Sequence, residues 1–253
     1  MEELVISPYF LSALFFTVAL VYSSVGLGGG SSYTALMAIL GVSHVAIPAI
    51  SLTLNLFVTS VGSYNFIRKR HARLGLVAPF LVTSIPMSYL GGAIKLPKDI
   101  FYWILLVSLI FVSIRIYAWE HTSLRLDIGK AKKIIVSLMA GSVLGFIAGT
   151  VGIGGGIYLV PLIIILGLGS AKEAAACGAV FIWVNSLSGL IARFQYHSID
   201  IFAFLPVIVA VLIGGYLGSF MGSSTLSSRA MEKCLGGIVI VAIAFLLKRT
   251  LLI

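Results

Sequence analysis

Residues 74–94 contain no Asp, Glu, Lys or Arg, and uncharged apolar blocks of similar length recur from one end of the chain to the other. A bilayer core is crossed by about 20 mostly apolar residues in helical form. Such blocks suit no water-facing domain. Only 10% of the 253 residues are charged and 60% are hydrophobic, whereas a soluble domain carries about 25% charged residues. The chain is therefore expected to be an all-α polytopic membrane protein.

Spans are expected over about 8–25, 44–67, 74–94 and 100–119, and again over about 133–151, 171–193, 201–220 and 231–250. The first block reads as a retained helix, because Glu2 and Glu3 stand where a signal peptide would be basic and no small-residue cleavage site follows. Two shorter apolar segments, 31–41 and 157–168, each follow a glycine run, 26–30 and 152–156.

The two glycine runs are copies of one another. Val25-Gly26-Leu27-Gly28-Gly29-Gly30 recurs as Val151-Gly152-Ile153-Gly154-Gly155-Gly156, 126 residues later. Leu36, Ile39, Leu40 and Gly41 meet Leu162, Ile165, Leu166 and Gly167, giving nine identities over 17 positions. At a shift of 127, Pro79 meets Pro206 and Tyr89-Leu90-Gly91 meets Tyr216-Leu217-Gly218. The expected layout is two homologous repeats, 1–119 and 133–253, of about four spanning helices plus one short re-entrant or broken helix each. A polar cytoplasmic linker over 120–132, with Glu120, His121, Arg125, Asp127, Lys130 and Lys132, joins them.

If the short segments turn back, each half crosses four times and the repeats are parallel. If they cross, each half crosses five times and the repeats are inverted. Both forms put 12 Lys and Arg on the cytoplasmic face and 5 on the other. Eleven helical residues reach only about 16 Å, which favours the non-crossing form.

The net charge of +9 is gathered in short loops. That pattern indicates positive-inside topology and attraction to lipid headgroups. Nucleic acid is excluded as a partner, since no aromatic residues interleave a basic patch. Location in the cell (inner, cytoplasmic) membrane is expected. Cys177 and Cys234 suggest neither a disulfide framework nor a zinc site, and no metal or cofactor is expected.

A duplicated membrane protein with a glycine-interrupted segment in each half has the signature of a secondary transporter, with its site at the facing interruptions. Irregular backbone at membrane depth is tolerated only where protein or a water-filled cavity satisfies it. A break followed by a short helix aims free N–H groups and a positive dipole end at one point, which favours an anion. The candidate site residues are Gly28, Gly29, Gly30, Ser31 and Ser32 in the first half and Gly154, Gly155 and Gly156 in the second. Asn55 and Asn185 join them as mid-span amides, Asn185 lying one turn beyond the position equivalent to Asn55. Ser23, Ser24 and Thr150 are further hydroxyls near the breaks, although such groups often bond to their own i−4 carbonyl. Gly141, Gly145 and Gly149 have helical spacing without a counterpart at Phe15, Ala19 and Ser23, and indicate helix packing.

Charged groups at span ends, among them Lys172, Glu173 and Arg193, are read as snorkelling to the interface. The lack of a deep Asp or Glu suits an anionic substrate. There is no His-Glu-x-x-His, no serine nucleophile elbow and no P-loop lysine, so no enzyme and no ATP-driven motor is indicated.

The duplicated Val-Gly-[Leu/Ile]-Gly-Gly-Gly, each copy followed by a short apolar segment, resembles the TauE/SafE sulfite exporter family, also called the toluene sulfonate uptake permease family. The resemblance covers essentially the whole chain. It implies a permease for a small sulfur oxyanion or organosulfonate, such as sulfite or sulfoacetate, with the family's glycine motif falling on Gly26, Gly28, Gly29 and Gly30 and on Gly152, Gly154, Gly155 and Gly156. The expected partners are a small anionic substrate and membrane lipid, with room for a coupling ion (proton or sodium) and for an oligomer. An anion channel, or a non-transporting membrane subunit of a complex, is the alternative.

Overall fold

The computed structural model describes residues 8–24, 27–69, 71, 73–118, 129–196 and 204–224, together with positions 240, 243, 244 and 247. Nine helices lie within those stretches: α1 (Pro8–Ser24), α2 (Gly30–Ile39), α3 (Ala46–Arg68), α4 (Leu74–Ala93), α5 (Lys98–Ala118), α6 (Lys130–Val151), α7 (Gly156–Ile165), α8 (Ala171–Tyr196) and α9 (Leu205–Ser224). The expected span over 231–250, the linker through residue 128, Gly26 and Cys234 fall largely or wholly outside the described residues. Helix α6 starts at Lys130, inside the stretch expected as linker, and α8 runs past its expected end to Tyr196.

Four helices, α3, α4, α6 and α8, are long and apolar enough to cross a membrane by length and composition. Several hydroxyls inside them bond to their own helix. Thr53 and Thr59 donate to the carbonyls of Ala49 and Asn55 one turn back, at 2.8 and 2.7 Å. Pro48 stands in the first turn of α3, where its missing N–H interrupts no intrahelical bond.

Helices α3 and α8 form the centre. Over their apolar windows both are 67% buried, against 28% for α4. They run antiparallel: Leu52 lies against Gly189, Phe66 clusters with Ala175 and Ala176, and Ser60 accepts a bond from the Trp183 indole N–H at 2.8 Å. Helix α4 packs on α6 and α8, while α9 packs on α1 and α3.

Small residues set both peripheral contacts. Gly141, Gly145 and Gly149 of α6 lie so close to the carbonyls of Phe80, Ser84 and Ser88 on α4 that a Cβ at any of them would overlap the oxygen. Gly214 and Gly218 of α9 meet the carbonyls of Phe16 and Leu20 on α1 in the same way. Residue numbers rise together in each pair, so α4 runs parallel to α6 and α1 parallel to α9. The glycine stripe sits on α6 in one pair and on α9 in the other, which is why α1 offers no matching stripe. Trp103, Val107 and Ile114 of α5, Val82 of α4 and Ile213 and Phe220 of α9 are exposed apolar side chains suited to lipid.

Candidate functional site

Two chain interruptions lie beside the central pair. Helix α1 ends at Ser24 and α2 begins at Gly30; α6 ends at Val151 and α7 begins at Gly156. The residues before the two short helices, Gly29 (φ 87°) and Gly155 (φ 72°), are both left-handed, a conformation that strains any residue with a Cβ. The first i→i−4 bonds run from Tyr33 N–H to Gly29 O (3.0 Å) and from Leu159 N–H to Gly155 O (3.2 Å). The amides of Gly30, Ser31 and Ser32, and of Gly156 and Ile157, precede those bonds at the positive end of each short helix. The far ends match as well. Gly41 and Val42 donate to Ala38 and Met37, as Gly167 and Leu168 donate to Ile164 and Ile163.

The interruptions touch each other. A Cβ on Gly30 would overlap the Ile153 carbonyl oxygen. Ser51 of α3 donates to Gly152 O at 2.7 Å and lies 3.4 Å from Gly30 O, and Asn55 Nδ2 donates to Gly152 O at 3.2 Å. Helix α3, from the first half, thus holds the break of the second. Asn55 is fully buried, and its Oδ1 has no partner and faces Gly28, 2.6 Å from the position of a Cβ there.

On α8 the facing position is Ile182. Its side chain packs against Gly28, Gly154 and Gly156. Asn185 stands one turn further on, about 4.5 Å along the axis, and its Nδ2 donates to Phe181 O at 2.8 Å. Its Oδ1, like that of Asn55, is buried without a partner.

Ser31 and Ser32 share one partner, the Tyr22 hydroxyl, at 2.8 and 2.9 Å, which ties the end of α1 to the first turn of α2. Tyr33 stacks on Phe15 and places its hydroxyl under Gly29. Ser23 donates to Gly215 O on α9, and Thr150 bonds back to Phe146 O, so these hydroxyls serve packing. Cys177 is a buried free thiol.

Three residues at the site carry no recognisable sequence signal, Tyr22, Ser51 and Ile182, and a fourth, Arg193, is conspicuous by its charge but expected at the interface. The last departs most from expectation. Because α8 continues to Tyr196, Arg193 sits inside the helix rather than at its tip, and it does not snorkel. It is 3% exposed, and its Nη2 donates to Gly149 O (2.8 Å) and Thr150 O (2.7 Å) in the last turn of α6 before the break.

A bundle of long, mostly apolar helices with an apolar exterior is a multi-pass membrane protein. The chain belongs to the sulfite exporter TauE/SafE family, whose model matches residues 11–246. It is similar to the probable membrane transporter protein y4hK of Sinorhizobium fredii (strain NBRC 101917 / NGR234), with 34% identity over 236 residues, covering 92% of this chain and 95% of that one. No solved structure matches it.

Proposed function

We propose that the protein is a secondary permease of the cell membrane for a small sulfur oxyanion or organosulfonate, bound where the two glycine breaks meet and moved by alternating access. One observation carries this: two amide-bearing helix starts, each entered through a left-handed glycine, adjoin one another between α3 and α8. Converging backbone donors suit the oxygen array of a sulfite or sulfonate, and no Asp or Glu of the described core opposes a negative charge. The family name and the y4hK relative are consistent with this substrate class and with transport.

The two halves are then inverted repeats. Equivalent helices α3 and α8 run oppositely, and the contacts of α1 with α9 and α3 with α9 have their counterparts in α6 with α4 and α8 with α4. Each short helix returns the chain toward the side from which the preceding helix came, so α1 with α2, and α6 with α7, form hairpins. The inverted arrangement replaces the parallel form that segment length favoured: the ten-residue helices α2 and α7, with their flanking loops, carry the chain back between α1 and α3 and between α6 and α8.

Uptake and counterflow of labelled sulfite, thiosulfate, sulfoacetate and a carboxylate control in proteoliposomes test the proposal. A saturable flux with exchange of labelled sulfur anion is expected, and Gly29→Val or Gly155→Val should abolish it while the protein still inserts. Flux of the carboxylate alone, or normal flux in the correctly inserted double variant, would overturn it.

A further inference from the structure

A cavity of about 360 Å³ adjoins the second glycine break, lined among others by His44 and Val45 before α3, Pro48, against whose backbone Gly152 packs, Lys95 after α4, Thr150 on α6 and Arg193 on α8. It faces the start of α3, so it lies on the membrane face opposite the basic run Arg68–Arg73 that follows the end of that helix. Positive-inside topology accounts for the basic run and leaves basic side chains on the other face unexplained. Two cations, Lys95 and Arg193, line this cavity beside His44, and no carboxylate does. Lys98 and Asp99, at the start of α5, act on His44 with opposite sign.

Arg193 supplies the second observation. Its Nη2 is taken up by two carbonyls, its Nε is buried without a partner, and it makes no ion pair among the described residues. A buried guanidinium without a counter-charge is costly. An oxyanion would supply both the charge and an acceptor oxygen for the unpartnered Nε–H.

We infer that this cavity is an anion-binding vestibule that receives a small tetrahedral or pyramidal oxyanion of the sulfonate or phosphate type. It rests on the transport reading for its role: the carbonyls that Arg193 holds close the last turn of α6 directly before Gly152, so an anion drawing on the guanidinium acts on the second break. A free anion and a phospholipid headgroup share this chemistry, and the experiment separates them.

The full-length protein carrying Val45→Cys in a Cys177→Ala, Cys234→Ala background is reconstituted in phosphatidylcholine vesicles. Its labelling by 2-sulfonatoethyl methanethiosulfonate is compared with labelling by the trimethylammonium analogue. Field focusing in a basic cleft raises anion encounter by about tenfold or more. The anionic reagent is therefore expected to lead by about that factor, sulfate to protect against it, and Lys95→Gln to remove the preference. Arg193→Lys should keep part of the preference that Arg193→Gln removes. Equal labelling by both reagents, or a preference untouched by Lys95→Gln, would overturn the vestibule. So would protection by added phosphatidylglycerol and not by sulfate, which would make the cavity a lipid site. Flux in proteoliposomes without charge preference at residue 45 sinks the vestibule alone. Charge preference without flux of any tested anion sinks the transport reading and leaves the anion site standing.

Discussion

Gly30 and Ile153 face one another across the two halves with no room for a methyl group between them: the Cα of one break lies against the backbone carbonyl of the other. Backbone on backbone cannot yield as a side-chain tip can. Gly30→Ala is therefore expected to separate the breaks, cost about 1–3 kcal/mol and stop transport. Unfolding in detergent and flux in proteoliposomes measure the two effects. Unchanged values for both would show that the breaks do not meet.

Gly152 O is held by Ser51 and by Asn55. Removing either donor should cost about 1 kcal/mol, because the other still satisfies the carbonyl. Removing both should cost more than the sum, since a buried acceptor is left bare. A double-mutant cycle of Ser51→Ala and Asn55→Ala, followed by denaturant unfolding, reads the coupling. Strict additivity would mean that the two donors do not share this carbonyl.

The glycines of the bundle should divide by what surrounds them. Gly145 abuts the Ser84 backbone, so Gly145→Leu is expected to force α4 and α6 apart and leave the protein poorly expressed or aggregated. Gly62, inside α3, has no neighbour within 4 Å of a Cβ position. Gly62→Ala should therefore stabilise the helix by about 0.5–1 kcal/mol. The melting temperatures should move in opposite directions.

His44 lies in the connection before α3. Burial, aided by Lys98, holds its imidazole below the ordinary value of 6.5, while Asp99 acts the other way. With the folded-state value lowered, the unfolded chain takes up a proton first as pH falls. Stability is then full above about pH 6.5 and declines as pH drops through the folded-state value. Thermal unfolding of wild type against His44→Gln from pH 8 to pH 5 should show a steeper acid decline in wild type. A steeper decline in the variant would reverse the sign.

Much of the fold is legible in hydropathy, because the bilayer imposes one length on every crossing helix. The breaks are legible too. Both short helices begin one residue past Gly29 and Gly155, where a left-handed residue is needed and glycine supplies it. The polar lining is less so. Asn55 is found because an amide in mid-span is conspicuous, but Ser51 looks like any hydroxyl that bonds to its own helix. A same-face rule points to Asn185, whereas nothing in the sequence marks Ile182, one turn earlier, as the α8 side chain that packs on Gly28, Gly154 and Gly156. Arg193 is misplaced by the expected end of its span, since a helix one turn longer moves a side chain from the interface into the interior. Helix direction is invisible to charge counting, because both topologies distribute Lys and Arg equally.

The pairing of Asn55 with Ile182 has a thermodynamic corollary. In a carrier made of two inverted, identical halves, the inward-open and outward-open shapes are the same structure with the halves exchanged, and they must be equally populated at rest. One arm here presents an amide and the other a branched hydrocarbon. Under the proposed alternating access that difference, together with Ser31 and Ser32 standing opposite Ile157 and Tyr158, lifts the degeneracy, so the unloaded protein would favour one orientation.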